Sequence, residues 1–144
     1  MIPASTKSRY LQLALGATLT LAAVLAQATE TRITLSGAEE TPAIATAASG
    51  SGSITVDGGA GHAVSDGITT KDLQGSAAHI HQAGAGKSGP PVITLAKNGD
   101  NSWTVPPGSA LNDEQYAAFL AGNLYINVHS ADHKPGEIRG QLRP

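Results

Sequence analysis

Short apolar runs alternate with turn residues along most of the chain. From Thr29 onward Gly, Ser, Thr, Ala and Val dominate, and Gly or Pro recurs every several residues. This texture is typical of short strands joined by turns, and the regular spacing favours an all-β, antiparallel β-sandwich. The predicted strands are 32–35, 52–56, 63–69, 77–81, 92–95, 102–104, 124–130 and 137–142.

The predicted strands differ in how regular their patterns are. In 124–130, apolar side chains at alternate positions are separated by Tyr125, Asn127 and His129, so a pleated strand presents one apolar and one polar face. The segment 62–73 is much less regular, because charged residues and a glycine interrupt its apolar pattern. The first prediction is therefore well supported by alternation, whereas a strand at 63–69 is not.

One segment has helical periodicity. Asn112 can cap a helix with Gln115 reaching back to it, and Gly122 suits the position just past the last turn. Apolar residues recur there at three-to-four spacing, at Leu111, Tyr116, Phe119 and Leu120. We expect one short helix near 113–121 that covers an open end or edge of the sandwich.

Residues 1–28 have the pattern of a signal peptide. Lys7 and Arg9 precede an apolar run over 11–25, and Ala26-Gln27-Ala28 places small residues where signal peptidase accepts them. A membrane anchor is the alternative, but a spanning helix needs about 20 mostly apolar residues and polar side chains interrupt this shorter run. We predict cleavage after Ala28, a mature domain over 29–144, and a periplasmic or secreted location.

Composition narrows the possible partners. The net charge of −2 becomes about −4 once the basic leader is removed, and no Lys/Arg run remains. Nucleic acids and anionic membranes are therefore poor partners. The mature chain contains neither Cys nor Met, since the one Met of the sequence is Met1, so disulfides and soft sulfur ligands are excluded.

Four segments resemble one known family when they are taken together. They are 35–42 (LSGAEETP), 78–81 (AHIH), 121–129 (AGNLYINVH) and 136–142 (GEIRGQL). In this order they resemble a CHRD domain, a module named after chordin, and the resemblance covers nearly all of 29–144. It implies export and a β-rich fold, because the family occurs in chordin, an extracellular antagonist that binds growth factors, and in many secreted bacterial proteins. The segment 62–73 departs from the family pattern.

The histidines suggest a metal site. His79 and His81 are separated by one residue, so on a strand they share a face about 7 Å apart, within reach of one ion. If its strand pairs nearby, His129 supplies a third nitrogen, and His133 in the following turn could supply a fourth. Asp132 is a spare oxygen ligand. His62, in a glycine-rich turn, is predicted to lie outside the set.

The types of ligand available narrow the choice of metal ion. With only nitrogen and oxygen ligands available, Cu(II) fits best and Zn(II) second, whereas Cu(I) sites built on Met or Cys are excluded. The His-x-His pair is also similar to the copper-ligand strand of copper/zinc superoxide dismutases, but this similarity covers a few residues and does not imply homology. The predicted sandwich is Greek-key-like, with a superoxide-dismutase-like arrangement as one option. The alternative is that these histidines are solvated or hydrogen-bond backbone groups at the sheet rim.

Other polar residues have structural roles in this interpretation. Glu137 and Arg139 project from the same side of the last predicted strand, and we predict a structural pair between them. Asn127 shares a face with His129 and is predicted to orient it. No serine lies in a nucleophile-elbow context, so covalent catalysis has no support.

Three functions remain after these exclusions. The first is an exported metal-binding protein, with copper favoured, that acts in sequestration, delivery or tolerance. The second is a non-catalytic interaction module, by analogy with chordin, that uses the loop 84–91 to bind an extracellular protein or a surface polymer. The third is a small copper enzyme with an open coordination position, acting for example on superoxide. No catalytic acid, base or nucleophile arrangement is visible, so a non-enzymatic role is favoured.

Overall fold

The computed structural model describes residues 26–144, and it confirms the predicted antiparallel all-β fold with one α-helix. The predicted leader falls outside the described residues up to residue 25, and the first strand begins at Thr29. In chain order the elements are β1 Thr29–Ser36, β2 Ser49–Val56, β3 Val64–Lys71, β4 Gly75–Gln82, β5 Pro91–Thr94, β6 Ala96–Lys97, β7 Ser102–Thr104, α1 Asp113–Leu120, β8 Leu124–Ser130 and β9 Ile138–Leu142. A single 3-10 turn, Gly37–Glu39, follows β1.

The strands form one nine-stranded sheet that nearly closes on itself. Its order is β5-β4-β8-β9-β1-β2-β3-β7-β6, and every pairing is antiparallel. The two edge strands, β5 and β6, are separated only by Leu95, whose N–H donates to Ala78 O of β4 at 2.9 Å. One continuous segment therefore pairs with β4 at one edge and with β7 at the other.

The core fills the inside of this curled sheet. In β8, Leu124, Ile126 and Val128 are almost completely buried, which confirms the apolar face predicted from alternation. Trp103 of β7 and Phe119 of α1 pack into the same core. Full burial of each large apolar side chain contributes roughly 1.5–3 kcal/mol, so these positions hold the sheet in its curled form.

The helix α1 forms where its local signals predict it. Asn112 Oδ1 accepts from Gln115 N at 2.8 Å, and Asn112 N donates to Gln115 Oε1 at 2.9 Å, so the capping box is complete. Gly122 follows the last turn with φ of +73°, a conformation that costs glycine little. Phe119 points into the core, but Leu120 is 55% exposed and does not belong to the packed face.

Two parts of the sheet had little or no signal in the sequence. The strand predicted at 63–69 on a weak pattern is confirmed as β3, which pairs with β2 along its whole length and with β7 on its other side. Pairing on both sides stabilises it despite Asp66, which adopts φ of +75° and is exposed. The strand β6 had no sequence signal, because it is only two residues long.

The polar face of β8 is covered, although alternation alone would leave it facing solvent. Tyr125 and Asn127 are each only 3% exposed. Backbone groups of the segments 83–90 and 131–136 bond to side chains on this face, so both segments lie over it. Within residues 26–144, no helix has the length and apolar character needed to cross a membrane.

Candidate metal centre

Sheet register brings three histidines to the outer face of β4 and β8. His79 lies opposite Asn127, and His81 lies opposite Tyr125. His129 is opposite Ala77, which makes it the diagonal neighbour of His79. Opposed residues in an antiparallel pair share a face, and diagonal neighbours are close enough for long side chains to touch.

The three imidazoles converge as predicted. Ring centroids of His79 and His81 are 5.5 Å apart, those of His79 and His129 are 5.0 Å apart, and those of His81 and His129 are 6.2 Å apart. One nitrogen from each ring lies within 4.8 Å of the other two. A tetrahedral ion with metal–nitrogen distances of about 2.0–2.1 Å separates its ligands by about 3.4 Å, so small rotations complete such a site.

Backbone carbonyls determine which nitrogen of two rings is free. His81 Nδ1 lies 2.9 Å from Gly89 O, and His129 Nδ1 lies 2.7 Å from Lys134 O. A carbonyl only accepts hydrogen bonds, so each Nδ1 carries the proton and each Nε2 presents a lone pair. His81 Nε2 is buried and has no hydrogen-bond partner among the described residues.

The third ring is linked to the second. His79 Nδ1 lies 3.0 Å from His129 Nε2, so His79 donates to the lone pair of His129. If the proton moves to Nε2 of His79, both atoms of this pair become acceptors. The 3.0 Å between these two nitrogens is then close to the separation of two nitrogen ligands on one ion. That separation is about 2.9–3.4 Å for metal–nitrogen distances near 2.0–2.1 Å.

Burial and neighbouring charges favour the neutral form of two of the imidazoles. Burial lowers the pKa of His79 below 6.5, and repulsion from His129 and His81 lowers it further. Burial also lowers the pKa of His81, although its bond to Gly89 opposes that shift. Neutral imidazole is the form that binds metal, so these shifts favour the ligand form of His79 and His81.

A buried arginine holds the covering loop in place. The Arg139 guanidinium lies 3.5 Å from the ring centroid of Tyr125, whose ring is stacked with His81 at 4.9 Å. Arg139 also donates to Lys87 O at 2.7 Å and to Gly84 O at 3.0 Å. These bonds fix the segment 83–90, including the carbonyl of Gly89 that sets the tautomer of His81.

The predicted pair between Glu137 and Arg139 is wrong. Glu137 instead accepts from Thr46 Oγ1 at 2.6 Å, and no ion pair of Arg139 forms among the described residues. Burial raises the pKa of Glu137, but hydrogen bonds from Ser130 and Thr46 outweigh it and lower the value. Arg139 lies toward β8 and the covering loop, whereas Glu137 precedes β9 and bonds to the segment before β2.

The remaining predicted ligands lie outside the converging set. His133 is not among the clustered imidazoles, and its charge acts on Glu137. Asp132 lines a separate cavity with Asp72 and Glu137. His62 stacks on Tyr116 at 3.8 Å, far along the chain from the site, as expected for a histidine outside the set.

Two contributors to the site were missed or assigned differently by sequence reasoning. Glu40 was missed, although it falls in the family-like segment 35–42, and its Oε1 is buried without a hydrogen-bond partner in the described part of the chain. Asn127 was expected to orient His129, yet Lys134 O does so, and Asn127 Nδ2 donates to Pro135 O at 3.2 Å.

A cleft elsewhere in the protein does not compete with this site. It has a volume of about 530 Å³, lies between β2, β3 and β7, and is lined by residues such as Ser51, Ile68 and Trp103. No histidine lines it, and it brings together no set of titratable groups. The histidine cluster is therefore the better candidate for chemistry.

The chain matches one of the known protein families over most of its length. The family model described as CHRD domain matches residues 31–142, a span that includes all three clustered histidines. This match confirms the resemblance that the four sequence segments indicated. No curated protein and no solved structure matches the chain.

Proposed function

This chain belongs to the CHRD domain family, and we propose that it is an exported protein that binds one divalent metal ion through His79, His81 and His129. The observation that carries the proposal is His81 Nε2, a buried lone pair with no donor, in a ring whose other nitrogen is already bonded. A buried acceptor without a partner is costly, and a metal ion would satisfy it.

The alternative is that these histidines serve only to bond backbone groups. It accounts for one nitrogen each of His81 and His129 but not for the other. His81 and His129 do bond carbonyls, but through Nδ1, which leaves both Nε2 atoms directed toward the cluster. Metal-ligating histidines usually donate their second nitrogen to a carbonyl or carboxylate, because that bond fixes the tautomer and the ring orientation. The bonding pattern therefore supports the metal hypothesis.

Copper(II) is the favoured ion, and zinc(II) is the second. Imidazole suits both ions, and affinity for a given nitrogen site rises toward copper along the first transition row. The mature chain supplies no sulfur ligand, so the site would hold Cu(II) in preference to Cu(I). We propose a role in sequestration, delivery or tolerance of the ion.

Export is supported by the leader and by the position of the first strand. Cleavage after Ala28 leaves β1, which begins at Thr29, intact. It removes the bond of 3.2 Å from Gly58 N to Gln27 O, which lies outside the sheet pairings. CHRD domains are typically extracellular, in agreement with a periplasmic or secreted protein.

Isothermal titration of the purified protein with Cu(II) and Zn(II) tests the proposal. We expect one ion per chain, and His81→Ala should weaken binding by more than the roughly 10- to 100-fold that loss of an outer partner costs. His62→Ala is the matched control and should bind like the unaltered protein. If neither ion binds below millimolar concentration, the metal hypothesis fails and an interaction module becomes the better interpretation.

A further inference from the structure

Asn127 lies at the centre of the face that carries the three histidines. It is paired with His79 on β4 and with Arg139 on β9, and it precedes His129 by two residues on the same strand. Its side chain is short and 3% exposed. The longer imidazoles of His79, His81 and His129 therefore surround it, and Asn127 forms the floor of the site.

The amide of Asn127 is held in one orientation. Nδ2 donates to Pro135 O at 3.2 Å. A Cβ at Gly136 would collide with both Glu40 Oε1 and Asn127 Nδ2, so the carboxyl group and the amide nitrogen border the same small space. Pro135 O and the Glu40 carboxyl group, which are both acceptors, therefore lie on the Nδ2 side of the Asn127 amide. Its Oδ1 faces the opposite side.

The amide oxygen of Asn127 lies beside a second lone-pair acceptor, Nε2 of His81. Asn127 Oδ1 is buried and has no hydrogen-bond partner among the described residues, as is also true of His81 Nε2. Asn127 lies opposite His79, so His81, two residues further along β4, is its diagonal neighbour on the same face. With the His81 proton on Nδ1, both atoms are lone-pair acceptors, and a bound cation would satisfy both.

We propose that Asn127 Oδ1 is the fourth ligand of the metal ion, so that the site contains three imidazole nitrogens and one amide oxygen. This inference rests on the proposed metal-binding function. Pro135 O acts as a positioning group, because it accepts from Nδ2 and thereby aims Oδ1, and Glu40 borders the same small space. A neutral oxygen ligand beside three imidazoles further favours Cu(II) and Zn(II) over soft Cu(I).

Pulsed electron paramagnetic resonance on the Cu(II)-loaded, unaltered protein tests this directly. With 13C-labelled asparagine incorporated, the carbonyl carbon of a ligating side chain should give a resolved carbon coupling to copper. Asparagines at 98, 101, 112 and 123 lie outside β4 and β8 and serve as the internal background. Bound Cu(II) without such a coupling would overturn the inference while leaving the proposed function intact, whereas absence of Cu(II) binding would remove the function itself.

Two variants extend the test to affinity. Asn127→Asp keeps an oxygen and adds a negative charge, so it should strengthen Zn(II) and Cu(II) binding by at least about tenfold and shift the Cu(II) spectrum. Asn127→Leu keeps the volume and removes the oxygen, so it should weaken binding by more than the roughly 10- to 100-fold that loss of an outer partner costs. The circular dichroism spectrum of each variant without metal checks that it is folded. If Asn127→Asp is folded and changes neither affinity nor spectrum, Oδ1 is not a ligand.

Discussion

Arg139 is the residue whose replacement should affect both the fold and the site most clearly. Its side chain is 2% exposed and donates to Lys87 O, Gly84 O and Gln141 Oε1 at 2.7, 3.0 and 3.2 Å. Arg139→Met keeps most of the apolar length but removes all three bonds and the contact with the ring of Tyr125.

The cost follows from these contacts. A hydrogen bond from a charged donor contributes about 1.5–3 kcal/mol, and a desolvated cation–π contact about 2 kcal/mol. A buried guanidinium has lost its hydration, which costs free energy in the folded state. Removing the charge removes this cost and so offsets part of the lost stabilisation. We expect Arg139→Met to lower the free energy of unfolding by about 3–5 kcal/mol.

The replacement should also reach the metal site through the covering loop. Without Arg139 the segment 83–90 keeps its bonds to Gln141 and Tyr125 but loses two anchors, so Gly89 O should hold the proton of His81 on Nδ1 less firmly. Affinity for Cu(II) should fall by roughly 10- to 100-fold, as for loss of an outer partner. Hydrogen exchange measured by mass spectrometry should rise within 83–90 before it rises in the strands.

Urea unfolding compares this variant with Arg143→Met, a matched control at an exposed position. The control should stay within about 0.5 kcal/mol of the unaltered protein. If Arg139→Met proves as stable as Arg143→Met and exchanges no faster within 83–90, the reasoning about the loop is refuted.

Three further predictions follow from the core, the histidines and the leader. Val128→Ala should cost about 1–3 kcal/mol in urea unfolding, and Leu120→Ala, at an exposed position, should cost almost nothing. Without metal, the free energy of unfolding should fall as pH drops below 6.5. Burial lowers the pKa of His79 and His81 in the folded protein, so the unfolded chain binds more protons there. A free energy of unfolding that stays constant from pH 7 to 5 would contradict this. Mass spectrometry of the exported protein should show Thr29 as its first residue, and retention of the full-length chain in the membrane would disprove cleavage.

Local patterns in the sequence were sufficient for the elements whose signals are themselves local. The alternation in β8 predicts its buried side because side chains of a strand point to opposite faces at every step. The helix α1 was predicted from Asn112, Gln115 and Gly122, since caps act within one turn. The shared face of His79 and His81 follows from their spacing alone.

Long-range pairing decided the rest. His129 joins the other two imidazoles because β8 pairs with β4 in the register that makes it diagonal to His79, and no local pattern specifies that register. The strand β3 forms because β2 and β7 flank it, despite its irregular pattern. The partner of Arg139 is a loop more than fifty residues earlier in the chain, so spacing along β9 suggested Glu137 instead.

The floor of the site shows the same division most clearly. The sequence by itself determined that Asn127 shares a face with His129. Tertiary structure decided that this face is covered, that Pro135 O accepts from the amide nitrogen with Glu40 beside it, and that the amide oxygen is left without a donor. The physical reason is that side-chain period is a property of one strand, whereas burial and hydrogen-bond satisfaction depend on which distant segments fold over it.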